Sequence, residues 1–527
     1  MKRLACLILI LTILVSGLFC VQNIHAQIGG GETIASNTEW TVADSPVNFN
    51  GSVTVATGKT LTIDPGVTVN LGMYYLLVDG TLTAEGNASN QIVFTSNVNS
   101  GNQTLENSPA EPIIFGSTST PWSAATDSGS IIQNAVLDGI FLSIDNASPE
   151  IDTCLFNFAT ESVAPITING GSPVISNNII DYNDQSSSDS TYINVYGGTP
   201  LIASNQFEGD VFGSSNIGIY VSSGAPVITN NTFAAGYGDN CDGVKVFSGT
   251  PQITNNQFEG SGYLTGIVDS SSSFITVSDN VFSNCLSGVT AQDESILTVE
   301  GNSFLKGTDG IDIISSGATL TITDNLIDSN SRYGINGGGN INSNTITNNQ
   351  IGIHNPPSGV ISNNNIVGNT ENGITATIES INAQDNWWGI TDTATINQTI
   401  YDSKDDYHLG TIQFTPFLTQ PSSTAPAIPI YTPTITPIPP PAPTATPTPT
   451  DAPPATPLST PAQDSQSFLN QVGALLNLNM ITTAMATALV LVWVIVILGY
   501  AAKSGISKYK DRKNKKSGFT AFFEDKS

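Results

Sequence analysis

One short phrase recurs eleven times between residues 151 and 388. It consists of an aliphatic residue, two small and mostly polar residues, a third polar residue that is usually asparagine, one free position and a large apolar residue. Clear copies end in Asn231-Thr-Phe233 and Asn280-Val-Phe282, whereas the first copy has Cys154 in place of the asparagine. Successive copies are 19 to 27 residues apart. A repeat of this length indicates a stacked solenoid, because a single unit of this size cannot bury its own apolar face.

The spacing of apolar residues within each copy decides between helix and strand. The residue three positions before the asparagine is apolar, and so is the residue two positions after it. This is strand spacing interrupted by a corner, and strong helix formers are sparse. A coil of about 23 residues accommodates three short strands and three turns, with each coil about 4.8 Å above the last. The sequence therefore predicts an all-β fold, a right-handed parallel β-helix solenoid.

The repeated positions have an architectural interpretation. A column of identical amides at a corner hydrogen-bonds from coil to coil and satisfies backbone groups that the turn leaves free. We therefore assign the asparagines to structure and not to chemistry. The apolar residues two positions later form the predicted inward stack: Phe156, Ile180, Phe207, Phe233, Phe258, Phe282, Phe304, Ile327, Ile346, Ile366 and Trp388.

Charge excludes some classes of partner. The formal net charge is −28, and only 11% of the residues are charged. Between residues 27 and 502 the basic residues are Lys59, Lys245, Lys306, Arg332 and Lys404. So acidic a region argues against nucleic acid as a partner and fits a solvated exterior surface.

Cysteines and metal ligands give little chemistry. Cys154, Cys241 and Cys285 follow the amino-terminal apolar segment at different places in the repeat, so we expect buried free thiols instead of disulfides. No metal can be assigned and no cofactor is expected. Calcium remains open at the turn from Asp239 to Asp242, although Asp and Asn are also the ordinary residues of turns.

The ends of the chain predict an exported, anchored protein. A basic start and an apolar run indicate a signal peptide, and prolines at about every third position indicate an extended linker. An uncharged apolar stretch long enough to span a bilayer precedes a basic tail, which places the tail in the cytoplasm. We therefore predict a single-pass protein of the cell membrane with an extracellular β-helix.

The predicted regions are a signal peptide at 1–26, an N-terminal cap at 27–50, the β-helix with its C-terminal cap at 51–418, a Pro/Thr-rich linker at 419–463, a juxtamembrane segment at 464–479, a transmembrane helix at 480–502 and a basic cytoplasmic tail at 503–527. Within the β-helix, the polar and irregular stretch 97–130 is predicted to form a loop.

Two features carry a resemblance to a known family. Asn386-Trp-Trp-Gly389, followed by Ile400-Tyr-Asp402, resembles the last coil and terminal cap of secreted β-helix proteins of the pectate-lyase-like superfamily. The Asn-Asn-x-Phe repeats resemble the carbohydrate-binding and sugar-hydrolase repeat class of that superfamily. The resemblance covers roughly residues 40 to 418 and implies the fold. It does not imply one function, because the class includes lyases, hydrolases, adhesins and surface proteins without a known reaction.

One outward column is the candidate ligand surface. Ten to fifteen residues before each asparagine stands a glycine-aliphatic pair; if the aliphatic side chain points inward, the next side chain points outward. The column reads Tyr220, Lys245, Val268, Thr290, Asp312, Asn336, His354 and Thr375, with Asp242 and Asp309 at the neighbouring turn. The predicted ligand-binding residues are Tyr220, Lys245, Thr290, Asp309, Asp312, Asn336 and His354. The alternative is a solvated polar face without a ligand.

Three functions of different class remain. We prefer a non-catalytic cell-surface protein for adhesion, glycan binding or envelope structure, whose partner is an extracellular glycan or an envelope component. The second hypothesis is a surface-tethered polysaccharide lyase or glycoside hydrolase, which a cluster of Asp with Asp or Arg would favour. The third is an accessory role in metal handling. No catalytic motif stands in a supporting context, so no catalytic residue is assigned.

The first prediction concerns glycosylation. Sequons begin at Asn50, Asn87, Asn102, Asn230 and Asn397. We expect Asn102 to carry sugar before Asn230, because Asn102 lies in the predicted loop and Asn230 lies beside the asparagine column. Glycopeptide mapping that finds sugar on Asn230 and none on Asn102 would contradict both assignments.

Overall fold

The computed structural model describes residues 27–28, 31–96, 113–158, 164–182, 191–208, 216–234, 241–271, 273–292, 295–314, 319–356 and 359–429. The predicted signal peptide, transmembrane helix and basic tail lie outside these residues, as do Asn102 and the linker after residue 429. In the part of the chain that the structure describes, no helix has the length and apolar character needed to cross a membrane.

Three long parallel sheets form the body of the protein, with 15, 16 and 14 strands. Each coil contributes one strand to each sheet, in the chain order sheet 1, sheet 2, sheet 3, and the next coil pairs alongside in parallel. The predicted all-β parallel solenoid is therefore confirmed. The described residues contain only one short α-helix, α1 (Thr393–Gln398), and a 3-10 turn at Val42–Asp44.

Sheet 1 carries the large apolar residue of each repeat on its inner face. Its strands are Gln27–Ile28, Val47–Phe49, Thr68–Asn70, Ile92–Thr95, Ala135–Asp138, Leu155–Phe158, Ile179–Tyr182, Gln206–Glu208, Thr232–Ala234, Gln257–Glu259, Val281–Ser283, Ser303–Leu305, Leu326–Asp328, Thr345–Thr347 and Asn365–Val367.

Sheet 2 carries the glycine-aliphatic pairs and the candidate ligand column. Its strands are Glu32–Ile34, Val53–Val55, Leu76–Val78, Ile113–Phe115, Leu142–Ile144, Ile166–Ile168, Thr191–Val195, Ile217–Val221, Cys241–Val246, Leu264–Asp269, Ser287–Ala291, Asp309–Ile313, Tyr333–Asn336, Ile351–His354, Asn372–Thr375 and Ile400–Tyr401.

Sheet 3 carries the aliphatic residue that opens each repeat. Its strands are Thr38–Trp40, Thr60–Ile63, Thr81–Glu85, Ile131–Gln133, Glu150–Asp152, Val174–Ser176, Leu201–Ala203, Val227–Thr229, Gln252–Thr254, Phe274–Ser278, Ile296–Glu300, Thr319–Thr323, Asn340–Asn342 and Ile361–Ser362. A separate pair, Ile381–Asn382 with Ile412–Gln413, continues the pairing at the carboxy-terminal end.

The repeated asparagines form a buried ladder at the corner between sheet 3 and sheet 1. In each step the side-chain amide donates to the side-chain carbonyl of the next asparagine, at 2.9 to 3.1 Å. Asn256 also donates to the Ile228 carbonyl of the preceding coil, at 2.9 Å, and accepts from the Asn231 backbone N–H at 2.9 Å. The residue before each ladder position is left-handed, as at Asn255 with φ of 58°, which explains why Asn, Asp, Ser or Gly usually stands there.

Cys154 ends the ladder on the amino-terminal side. Its backbone N–H donates to Asn178 Oδ1 at 2.9 Å, and its thiol donates to the Asp152 carbonyl at 3.2 Å. Cys154, Cys241 and Cys285 are buried thiols outside any disulfide, as predicted. Burial raises the pKa of Cys154 and of Cys285 to about 12, so both remain inert thiols at neutral pH.

The inward stack is continuous and depends on glycine in sheet 2. Between Phe207 and Phe304, neighbouring rings on five successive coils lie 4.6 to 4.8 Å apart and within 7° of parallel. The sheet-2 glycines face these rings: a Cβ on Gly266 would lie 2.5 Å from the Phe282 ring. Where a glycine faces a sheet-1 ring, it is therefore required because the ring occupies the space of a side chain.

A second asparagine ladder begins where phenylalanine gives way to isoleucine. Asn330 donates to Asn349 Oδ1 at 2.9 Å, and Asn349 donates to Asn369 Oδ1 at 3.1 Å, at the corner between sheets 1 and 2. Each of these residues follows a first-ladder asparagine by five positions. Sequence reasoning missed this ladder because it examined only the first corner.

Three boundaries differ from the prediction. The predicted loop 97–130 contains the strand Ile113–Phe115, whose inward residues Ile113 and Phe115 are fully buried. The predicted cap 27–50 contributes strands to all three sheets, so the first coil begins within it. Both errors arise because strands of only two to four residues alternate too briefly to stand out from polar surroundings.

The predicted linker also starts later than residue 419. The Ser422 backbone N–H donates to Asn365 Oδ1 at 2.8 Å, and the hydroxyls of Thr424 and Ser343 are 2.8 Å apart. Residues 422–426 therefore contact the outer side of the last coils.

The second prediction tests the ladder. Replacing Asn256 by alanine leaves the buried Asn231 N–H and the Ile228 carbonyl without their side-chain partner. At about 1–3 kcal/mol for each unsatisfied buried group, the free energy of unfolding should fall by about 3 kcal/mol. Urea unfolding measures the loss, and Gln257→Ala on the neighbouring exposed position is the control, with a change within about 0.5 kcal/mol. Equal effects of the two substitutions would show that the ladder contributes no stability.

Candidate functional site

The register of sheet 2 brings the candidate column into one stripe. Tyr220 pairs with Lys245, and the pairing continues coil by coil to Thr375. Asp312 and His354 are two coils apart, about 10 Å, and Lys245 and Asp312 are three coils apart, about 14 Å. The candidate residues therefore lie along the axis instead of converging in one cleft.

Exposure divides the predicted ligand residues. Tyr220, Lys245, Asp312, Asn336 and His354 are half-buried at the surface of sheet 2. Thr290 is only 7% exposed and Asp309 only 1% exposed. These two were predicted to face a ligand, but they offer almost no accessible surface. Thr290 has a short side chain between two neighbours of the same column, and Asp309 lies under an arginine.

That arginine is Arg332, on the next coil. Its Nε donates to Asp309 Oδ1 at 2.9 Å, and its Nη2 donates to Asp309 Oδ2. The Tyr333 backbone N–H donates to Asp309 Oδ1 at 3.2 Å. These hydrogen bonds, which Arg332 donates to Asp309, make a tight ion pair and raise the pKa of Arg332. Sequence reasoning counted Arg332 among the few basic residues but did not place it beside Asp309.

His354 belongs to a stack of flat groups on the same face. Its ring lies 4.3 Å from the Tyr333 ring and within 3° of parallel, and the Arg332 guanidinium lies 4.9 Å from the centre of the Tyr333 ring. Its Nδ1 is 2.8 Å from Thr375 Oγ1 and its Nε2 is 2.9 Å from the Asn355 amide. Burial lowers the pKa of His354, the positive charge of Arg332 lowers it further, and Asp309 opposes this shift. Both of these lowering effects favour the neutral form of His354.

The remaining charged candidates also have partners. Asn336 donates to Asp312 Oδ1 at 2.7 Å. Lys245 Nζ is 3.2 Å from Asp242 Oδ2, and burial raises the pKa of Asp242 while Lys245 opposes the shift. Asp239, at the other end of the turn where calcium was left open, lies outside the described residues.

Two exposed rings on the same face were missed by sequence reasoning. Tyr196 is 47% exposed and Phe247 is 51% exposed. Backbone hydrogen bonds from Ser222 to Val195 and from Phe247 to Val221 place Tyr196, Ser222 and Phe247 in one column, two residues beyond the polar column. No regular signal in the sequence marks these rings, because a large apolar residue stands three positions after the aliphatic member in only two of the eight glycine-aliphatic pairs, at Phe247 and Ile314. Tyr196 follows Tyr192-Ile193, which has no glycine.

Comparison with protein families identifies the architecture. The family model for the right-handed beta helix region matches residues 113–280, 193–351 and 265–388. Together these matches span residues 113 to 388, more than half of the 527-residue chain. The chain belongs to the right-handed β-helix family. A search of curated protein sequences finds no match to it.

The charged candidate side chains on sheet 2 of this β-helix are already engaged by other groups of the protein. The charged side chains Lys245, Asp312 and Asp309 each have a partner on the protein. Within the described ranges there is no group of three or more His, Cys, Asp or Glu side chains placed to hold a metal ion.

A small cavity lies beside this face, at the corner of sheets 1 and 2. It has a volume of about 40 Å³ and is lined by Tyr192, Phe207, Asn216 and Gly218, among others. That is roughly the space of one or two water molecules. This cavity of the β-helix is therefore too small to hold a sugar chain.

The third prediction tests the electrostatics around His354. Arg332→Gln removes the positive charge that lowers the His354 pKa, so this pKa should rise. Asp309→Asn alone removes the opposing negative charge, so the pKa should fall further. NMR titration with isotope-labelled histidine measures both shifts, and the exposed His408 serves as the internal reference. An unchanged His354 pKa in Arg332→Gln would contradict the contact seen here.

Proposed function

We propose that the protein is a non-catalytic, cell-surface β-helix protein that binds an extracellular glycan or envelope component along sheet 2. The observation that carries the proposal is the register of this sheet, which aligns the outward side chains of eight successive coils from Tyr220 to Thr375. An extended polymer parallel to the axis would meet one new side chain about every 4.8 Å. A stripe of weak, repeated contacts suits binding better than reaction at one bond.

The spacing, exposure and partners of the carboxylates support the non-catalytic part of this proposal. Sugar hydrolysis needs two carboxyl groups roughly 5 to 10 Å apart on either side of the bond. Asp309 and Asp312 lie on one strand, but Asp309 is 1% exposed and is bound by Arg332. Asp312 alone faces outward at that position, with Asn336 as its partner.

The proposed location rests on the sequence of both ends. The apolar segment within residues 1–26 and the uncharged stretch at 480–502 are the features expected of an exported chain with one membrane anchor. The acidic composition of the β-helix fits a position outside the cell, facing solvent.

A polysaccharide lyase or glycoside hydrolase is the second candidate. It is favoured by one observation: Arg332, Asp309, Asp312, Tyr333 and His354 come together on adjacent coils. An acidic residue beside an arginine is the kind of cluster that such enzymes use. Here the arginine is bound to the buried carboxylate, which is why binding is preferred over catalysis.

The fourth prediction separates these two candidates. The purified full-length protein should release no unsaturated or reducing ends from polyuronates or neutral glycans, with or without calcium. Reducing-end assays and absorbance of unsaturated products provide the measurement. If products were released and Asp312→Asn abolished the release, the protein would be an enzyme and the proposal would be wrong.

A further inference from the structure

Three rings on successive coils form an exposed surface on sheet 2, here called the ring surface: Tyr196, Tyr220 and Phe247. Tyr196 and Phe247 share one column and are about half exposed, and Tyr220 lies half-buried on the coil between them, one outward position earlier. Large apolar side chains exposed together on one face mark a binding site more often than scattered ones do.

The spacing of these rings fits an extended chain of flat units. Tyr196 and Phe247 are two coils apart, about 10 Å along the axis, and the two columns are about 7 Å apart across the sheet. The rings therefore lie in a zigzag along the axis. A polysaccharide chain in which every second sugar presents the same face would place alternate sugar rings against Tyr196 and Phe247.

Among the described residues of the two columns, the neighbours of the rings carry no net charge. Lys245, between Tyr220 and Phe247, is neutralised by Asp242 at 3.2 Å. The other residues adjoining the rings in the two columns are uncharged: Asn194, Ser222, Val268 and Ser270. Arg332 and Lys404 are likewise paired with carboxylates. The chain as a whole has a formal net charge of −28, so a polyanion would be repelled and would find no unpaired positive charge at the rings.

We propose that the ring surface binds a neutral polysaccharide, whose apolar sugar faces stack on Tyr196, Tyr220 and Phe247. This inference rests on the proposed function and names its ligand class. Aromatic rings supply the apolar contact, and the amide of Asn194 and the hydroxyl of Ser222 lie beside them to bond sugar hydroxyls. The contact needs no metal ion and no counter-charge, so affinity should not change with ionic strength.

The fifth prediction is a binding experiment on the full-length protein in detergent. The probes are hexasaccharides of glucose, xylose, mannose and N-acetylglucosamine in β-1,4 linkage, and a galacturonic acid hexamer. Calorimetry should detect at least one neutral probe and not the anionic one. Phe247→Ala and Tyr196→Ala should each weaken binding between about twofold and tenfold, the range for loss of one aromatic contact. Phe247→Trp should retain it.

The matched control is Tyr407→Ala, which removes a ring that is 83% exposed on the carboxy-terminal cap. It should leave affinity unchanged. Binding of a neutral probe that is insensitive to both Tyr196→Ala and Phe247→Ala would overturn the ring surface. Binding of the galacturonic acid hexamer alone would overturn the neutral ligand but leave the proposed function in place. Binding of none of the five probes would also overturn the neutral-polysaccharide ligand, and the proposed function would then stand only with an envelope component of another kind as the partner.

Discussion

The structure depends on the asparagine side chain that successive coils place at the corner between sheets 3 and 1. Where the chain turns from sheet 3 into sheet 1, a left-handed residue forms the corner, and backbone groups on both sides of it bond to asparagine side chains. The asparagine that follows makes these bonds: Asn256 serves a carbonyl of the coil before it, and its own carbonyl accepts a backbone N–H. Without these hydrogen bonds, the buried backbone groups at the corner would have no partners and would lower the free energy of unfolding.

This corner places the rest of the coil. Two residues after the asparagine, the chain has to point a large side chain inward, and the ring stack from Phe207 to Phe304 follows. The stacked rings occupy the space next to sheet 2, so sheet 2 needs glycine at that level, as at Gly266. The strand then resumes its alternation and presents its polar column outward. The position of the candidate ligand column therefore follows from packing requirements that begin at the asparagine.

Structural features that repeat at a regular spacing could be predicted from the sequence, whereas features that depend on contacts between coils could not. The inward stack and the order of the outward column follow from regular spacing, so they could be predicted from one chain. The absence of disulfides was expected for a different reason, because the cysteines fall at different places in the repeat. The Asp309–Arg332 pair could not, because it joins residues 23 positions apart whose facing depends on the local coil length. The burial of Thr290 and the exposure of Phe247 were also not predictable, since both depend on the size of neighbours in adjacent coils. The short strand Ile113–Phe115 was missed because three residues are too few to establish alternation.

The outward column of sheet 2 has a consequence for how such a protein diversifies. Its members are as different as tyrosine, lysine, valine, threonine, aspartate, asparagine and histidine, yet the backbone register beneath them is continuous. The paired backbone of each coil thus positions its outward residue in the same way, whatever the identity of that residue. The outward residues can therefore be substituted one coil at a time, while the buried core that sets the backbone register stays the same.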